Sequence, residues 1–72
     1  MTEYPIVLER ETDGRYSVYA PDLPGCVSWG STRDEAKVRI REAIELWIES
    51  AKEAGEEIPA PKSSLDSVAV SA

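Results

Sequence analysis

One long amphipathic helix constrains this chain more than any other feature. Ser31-Thr32-Arg33-Asp34-Glu35 carries a helix start. Thr32 at the N-cap with Glu35 three residues on is a capping box, in which side chains satisfy backbone N–H groups that the first turn leaves unpaired. Asp34 and Glu35 also suit the positive end of the helix dipole. Ala36, Ile40, Ala43, Ile44, Trp47, Ala51 and Ala54 recur at three- and four-residue spacing, which is one helical face. Glu42, Glu45, Glu49, Lys52 and Glu53 occupy the rest, and Gly55 fits the left-handed position that stops a helix. The pattern predicts a helix from Arg33 to Ala54. In a chain of 72 residues it is the only helix, and one helix covers one face of one sheet. Leu46 and Ile48 flank Trp47 and widen the apolar stripe. They read either as a broad core helix or as a second contact surface for another chain.

Strand signals precede the helix. Tyr4 to Glu9 is β-rich, with Tyr4, Ile6 and Leu8 on one face and Val7 on the other. Arg15 to Ala20 alternates, with Tyr16, Val18 and Ala20 sharing a face. Asp13-Gly14 between the two runs is a hairpin signal, because glycine tolerates the positive φ such turns require. Pro24-Gly25 fits the centre of a type II turn. Cys26 to Trp29 reads as a third strand, ended by Gly30. Pro59 and Pro61 mark 59–66 as an extended linker, and Ser67 to Ser71 reads as a short final strand.

These elements give an α+β fold, a single β-β-β-α-β domain over 1–72. The helix returns the chain to the starting edge, so the last strand is expected parallel to the first in spatial order 3-2-1-4. The sheet face away from the helix is expected to carry Val7 and Tyr19, with Val27 or Trp29 joining them according to register. Exposed aromatics there, with the Val68–Val70 edge, predict self-association as a dimer or tetramer.

Fourteen acidic against eight basic residues give a net charge of −6. That argues against direct nucleic-acid binding, which needs a basic patch, and suits a basic protein partner; solubility alone is the plainer reading. No apolar run approaches a membrane span of about 20 residues, and Met1-Thr2-Glu3-Tyr4 is unlike a signal peptide. A lone cysteine fits a reducing compartment, so a cytoplasmic location is expected. With one cysteine and no histidine, neither an internal disulfide nor a zinc site is expected.

The stretch from Tyr19 to Ala36 resembles the signature of the HicB antitoxin family. It contains Pro21-Asp22-Leu23-Pro24-Gly25-Cys26, then a small-residue strand ending at Gly30, then the Thr32-x-x-Glu35-Ala36 helix start. Arg41-Glu42-Ala43-Ile44 also fits the family's helix, and the resemblance runs from about Tyr4 to Trp47. Where the family often has Asn-Ala in mid-helix, this chain has Arg39-Ile40. The resemblance implies a truncated ribonuclease H-like sheet and an antitoxin that neutralises a basic, HicA-like mRNA-cleaving toxin by covering it. Family members often carry a C-terminal DNA-binding domain; a short form without one is expected here, so operator binding is not implied.

An enzymatic role needs named groups. Without histidine there is no Ser-His or Cys-His dyad. Cys26 beside a turn reads as a small buried hydrophobe. A metal-dependent nuclease needs several converging carboxylates, and the strands supply Glu9 and little else, with Asp13 and Asp22 in turns. Asp22 is expected to cap its own turn through an Asx hydrogen bond. The glutamates of the helix read as a solvated face. The expectation is therefore a non-enzymatic binding module with no catalytic residue, metal or cofactor, and Tyr19, Asp22, Leu23 and Trp29 are its candidate partner-binding residues. The alternatives are a residual metal-dependent ribonuclease H-like nuclease and an orphan self-associating domain.

Overall fold

A computed structural model describes residues 2–72. The expected domain starts at Met1, which lies outside the described residues. Strand β1 is Val7–Arg10, β2 is Tyr16–Tyr19, β3 is Val27–Gly30, and helix α1 is Arg33–Glu53. The strands form an antiparallel sheet in the order β1-β2-β3. Val7 pairs with Tyr19 and Arg10 with Tyr16, while Tyr16 pairs with Gly30 and Tyr19 with Val27. The ladders are shorter than the sequence pattern. One further bond continues the β2–β3 pairing, Ala20 N–H donating to the Cys26 carbonyl at 3.0 Å, before the chain turns at Pro21, and Pro5 has no N–H to offer.

The turns follow from their residues. Gly14 takes φ 90° in the first hairpin, and the loop closes through Glu11 N–H donating to the Arg15 carbonyl at 2.7 Å. Gly25 takes φ 76°, and Cys26 N–H donates to the Leu23 carbonyl at 3.1 Å, the bond of a type II turn centred on Pro24-Gly25. The helix begins as the capping pattern requires, with Thr32 Oγ1 accepting from Glu35 N–H at 3.1 Å. The reciprocal half of the box does not form, because the Glu35 carboxylate pairs instead with Arg39 at 3.2 Å. At the other end Gly55 N–H donates to the Lys52 carbonyl and Glu56 N–H to the Ala51 carbonyl. This Schellman pattern satisfies two otherwise orphaned carbonyls.

One core lies between the sheet and α1. Val18, Ala20, Leu23, Cys26, Ala36 and Ile40 are its buried members. Side chains the size of Val18, Leu23 and Ile40 contribute about 1.5–3 kcal/mol each when fully buried. Gly30 sits where the helix start crosses β3. A Cβ there would stand 2.8 Å from Ala36 Cα, so only glycine admits the helix at this distance. Helix α1 packs against β2 and β3. Tyr4, Ile6 and Leu8, on and before β1, touch the core from the side and stay half-buried.

The expected fourth strand is not formed within this chain. Ser67–Ser71 has no ladder partner, and Val68 and Val70 are 86% and 78% exposed. The order 3-2-1-4 is therefore replaced by a three-stranded sheet. The cause lies in the preceding residues. Tyr4 Oη donates to the Pro59 carbonyl at 2.6 Å, and the tail is then fastened to Asp22 in the β2–β3 connection. It crosses the end of the sheet instead of turning alongside β1.

Candidate partner-binding face

The face of the sheet opposite α1 is uncovered. Pairing places Val7, Tyr19 and Val27 in one row across the three strands, and Glu9, Ser17 and Trp29 in the next. Val27 and Trp29 therefore both belong to this face, since residues two apart on a strand point the same way. Tyr19 is 37% exposed, Trp29 47% and Val27 66%.

Trp29 is held between cations. The guanidinium carbon of Arg39 lies 4.7 Å from its ring centroid and that of Arg15 lies 5.6 Å away, both within cation–π range. Arg39 reaches from α1 around the edge strand β3, and its pairing with Glu35 fixes it there. Arg15 is fixed by Asp13, whose Oδ2 accepts from Arg15 Nε at 2.8 Å and whose Oδ1 accepts from Arg15 N–H. The bonds from the Arg15 backbone and then its side chain hold the Asp13 carboxyl below its ordinary value. The indole is thus a braced, exposed aromatic surface. Beside it, a recess of about 280 Å³ is lined by Glu11, Arg15, Tyr16, Ser17 and Trp29.

The four candidate residues divide into two pairs. Tyr19 and Trp29 lie on the open face. Leu23 is 1% exposed and is a core residue, so it cannot anchor a partner in this conformation; the turn folds it inward between Ala20 and Cys26. Asp22 is 6% exposed and does not cap its own turn. Its carboxylate accepts from Lys62 N–H at 3.2 Å, from Ser63 N–H at 3.1 Å and from Ser63 Oγ at 2.7 Å. The Ser63 hydroxyl, followed by the two backbone amides, holds its carboxyl below the ordinary value of 3.8. Asp22 is a clamp for the tail, forty residues away in sequence, and no local pattern announces that contact.

The pattern also passes over Val38, which is 59% exposed and lies with Leu46, 66% exposed, along the α1 flank next to β3. Their eight-residue spacing was the available signal. A groove of about 620 Å³ lies between the Gly25 turn and the last turns of α1, and Trp47 Nε1 crosses it to donate to the Pro24 carbonyl at 2.9 Å. Cys26 lines its floor, 4% exposed, and burial pushes its thiol up. Among the described residues, no three His, Cys, Asp or Glu side chains converge as metal ligands, and no helix is long and apolar enough to cross a membrane.

Comparison with known proteins places this arrangement. The profile of the HicB-like antitoxins of bacterial toxin–antitoxin systems matches residues 4–71. A UPF0150 protein of Thermoplasma acidophilum is 44% identical over 57 residues, which are 79% of this chain and 83% of that protein. Antitoxin HicB 1 of Photorhabdus laumondii is 38% identical over 58 residues, 81% of this chain but 37% of that longer protein. Among solved structures, the N-terminal domain of the Burkholderia pseudomallei antitoxin HicB superposes with a TM-score of 0.76 at 38% identity, covering 85% of this chain and 72% of that domain.

Proposed function

We infer that this chain, which belongs to the HicB-like antitoxin family, neutralises a basic, HicA-like mRNA-cleaving toxin by binding it directly, without chemistry of its own. The observation that carries this reading is the likeness to the HicB N-terminal domain at 38% identity over 85% of the chain. The open sheet face supports it physically. Tyr19 and Trp29 are proposed as the anchors, since large aromatic side chains dominate interface energy when they are rigid and desolvated. Trp29 is already braced by Arg15 and Arg39, so less side-chain freedom is lost on binding.

The net charge of −6 supplies the approach. A toxin surface built to hold RNA phosphates is attracted to an acidic protein, which speeds encounter and excludes the RNA. Exposed ion pairs contribute only about 0–1 kcal/mol each, so the apolar face must hold the complex once formed. The antitoxin is proposed to act in the cytoplasm as a dimer or tetramer. Its sheet is proposed to be a reduced ribonuclease H-like sheet that lacks the catalytic carboxylates.

The test is co-expression with the small basic protein encoded beside it. Growth rescue and co-purification are expected, with no magnesium-dependent RNA cleavage by the purified antitoxin. Trp29→Ala should abolish rescue while the far-ultraviolet circular dichroism stays unchanged. Failure of the two proteins to associate at low salt would defeat the reading for that pair, and RNA cleavage would revive the nuclease.

A further inference from the structure

Among the described residues, the tail beyond Ser63 is a long segment that forms no helix or strand and stays exposed. Leu65, Val68 and Val70 are 67%, 86% and 78% exposed, yet Val68-Ala69-Val70 has the composition of a strand. The segment lies inside the span that the antitoxin family profile matches. Apolar side chains held extended in water gain from any surface that covers them.

The sheet offers such a surface. Strand β1 pairs only with β2, so the outward backbone groups of Val7–Arg10 have no ladder partner. Its helix-side residues Ile6 and Leu8 are half-buried, because α1 packs over β2 and β3 and leaves β1 at the margin. A strand added there would complete the backbone ladder and place Val68 and Val70 on one face, next to Ile6 and Leu8.

The chain's own tail does not take this place. Asp22 fastens Lys62 and Ser63 to the β2–β3 connection, and Ser67–Ser71 has no ladder partner in the same copy. We propose that residues 66–71 of one copy add as an antiparallel strand to the open β1 edge of a second copy, with Ser67 opposite Glu9, and that the exchange is reciprocal. Asp22 is then the residue that makes the exchange intermolecular. The proposal rests on the reading that the chain self-associates, and not on which toxin it binds.

The test is sedimentation of the full chain at micromolar concentration, compared with Val68→Pro, which removes a ladder N–H, and with the double variant Val68→Asp, Val70→Asp. The tail lies outside the core, so all three proteins should keep the helical circular dichroism signal of α1. A dimeric or larger parent and monomeric variants are expected. A second arm mixes a Glu9→Cys protein with a mass-tagged Ser67→Cys protein under mild oxidation. A disulfide joining the two species is expected, and the buried Cys26 should not compete. A monomeric parent would overturn both the exchange and self-association. A variant that stays oligomeric, or absence of the mixed disulfide, would overturn the exchange alone and move the interface to the Tyr19–Trp29 face.

Discussion

Replacing Gly30 by alanine should destabilise this protein more than any other glycine substitution in it. The added methyl would stand 2.8 Å from Ala36 Cα and 2.9 Å from the Glu35 carbonyl carbon, both backbone atoms of the first turn of α1. A side chain can rotate away from such a contact, but a helix start pinned by Thr32 and packed through Ala36 must move as a body. Overpacking a tight site costs about 1–3 kcal/mol, and more where the neighbour cannot yield. The expected loss is therefore about 3 kcal/mol or above. Gly25→Ala is the internal control. Its Cβ would meet nothing within 4 Å, so only the φ of 76° matters. The left-handed penalty is about 1–2 kcal/mol, offset by about 0.4–1 kcal/mol from a stiffer unfolded chain, leaving roughly 1 kcal/mol. Proteins of this kind are stable by roughly 0.05–0.15 kcal/mol per residue, so Gly30→Ala removes a large share of the total. Urea unfolding at fixed protein concentration, followed by circular dichroism, measures both. A loss at Gly30 no greater than that at Gly25 would refute the close approach of α1 to β3.

Three further outcomes are expected. The Asp22 carboxyl lies below 3.8 in the folded state, so its clamp on the tail is complete above that pH and is lost as pH falls through the folded value. The Lys62 and Ser63 amide resonances should titrate with a midpoint below 3.8, and a midpoint above it would contradict the clamp. Ile40→Ala empties a site that is 2% exposed and should cost about 2–5 kcal/mol by urea unfolding; a loss under 1 kcal/mol would mean the helix is misplaced on the sheet. The Cys26 thiol, buried and with its ionisation pushed up, should resist a water-soluble thiol reagent at neutral pH and react at once in urea, whereas rapid reaction of the folded protein would show that the groove above it opens.

The helix and the turns were legible because their signals are local. A capping threonine, a period of 3.6 and a terminal glycine all lie within the helix they define, and α1 ends one residue before the expected Ala54. Asp13-Gly14 and Pro24-Gly25 fixed their turns in the same way. The register followed, because both Val18 and Tyr16 need the core side. What the sequence concealed was long-range. Asp22 and Leu23 stand beside each other in a turn rich in family signal, and a turn is ordinarily a place for exposed residues. Only the tertiary structure shows that Leu23 is swallowed by the core while Asp22 reaches a serine in the tail. Val68-Ala69-Val70 has the composition of a strand, but composition alone does not supply a partner edge, and within this chain no strand forms there.

The distribution of charge separates two tasks that the net value of −6 merges. Glu42, Glu45, Glu49 and Glu53 are exposed on α1, which packs on the sheet face opposite Tyr19 and the indole of Trp29. The guanidinium groups of Arg15 and Arg39 lie against that indole, each paired with a carboxylate, and Glu9 stands in the same row of the open face. Under the proposed function, much of the acidic charge that attracts a basic toxin therefore lies away from the aromatic residues that hold it. Steering by the field of the whole molecule acts over about 8–10 Å at physiological salt and governs how fast partners meet. Aromatic burial acts only on contact and governs how slowly they part. The pairing of Arg15 with Asp13 and of Arg39 with Glu35 also has a consequence for selectivity. With both guanidinium groups already paired, a carboxylate on the toxin would have to compete with Asp13 or Glu35 for them, so the toxin patch that covers Trp29 is expected to be apolar and to gain from burying the indole itself.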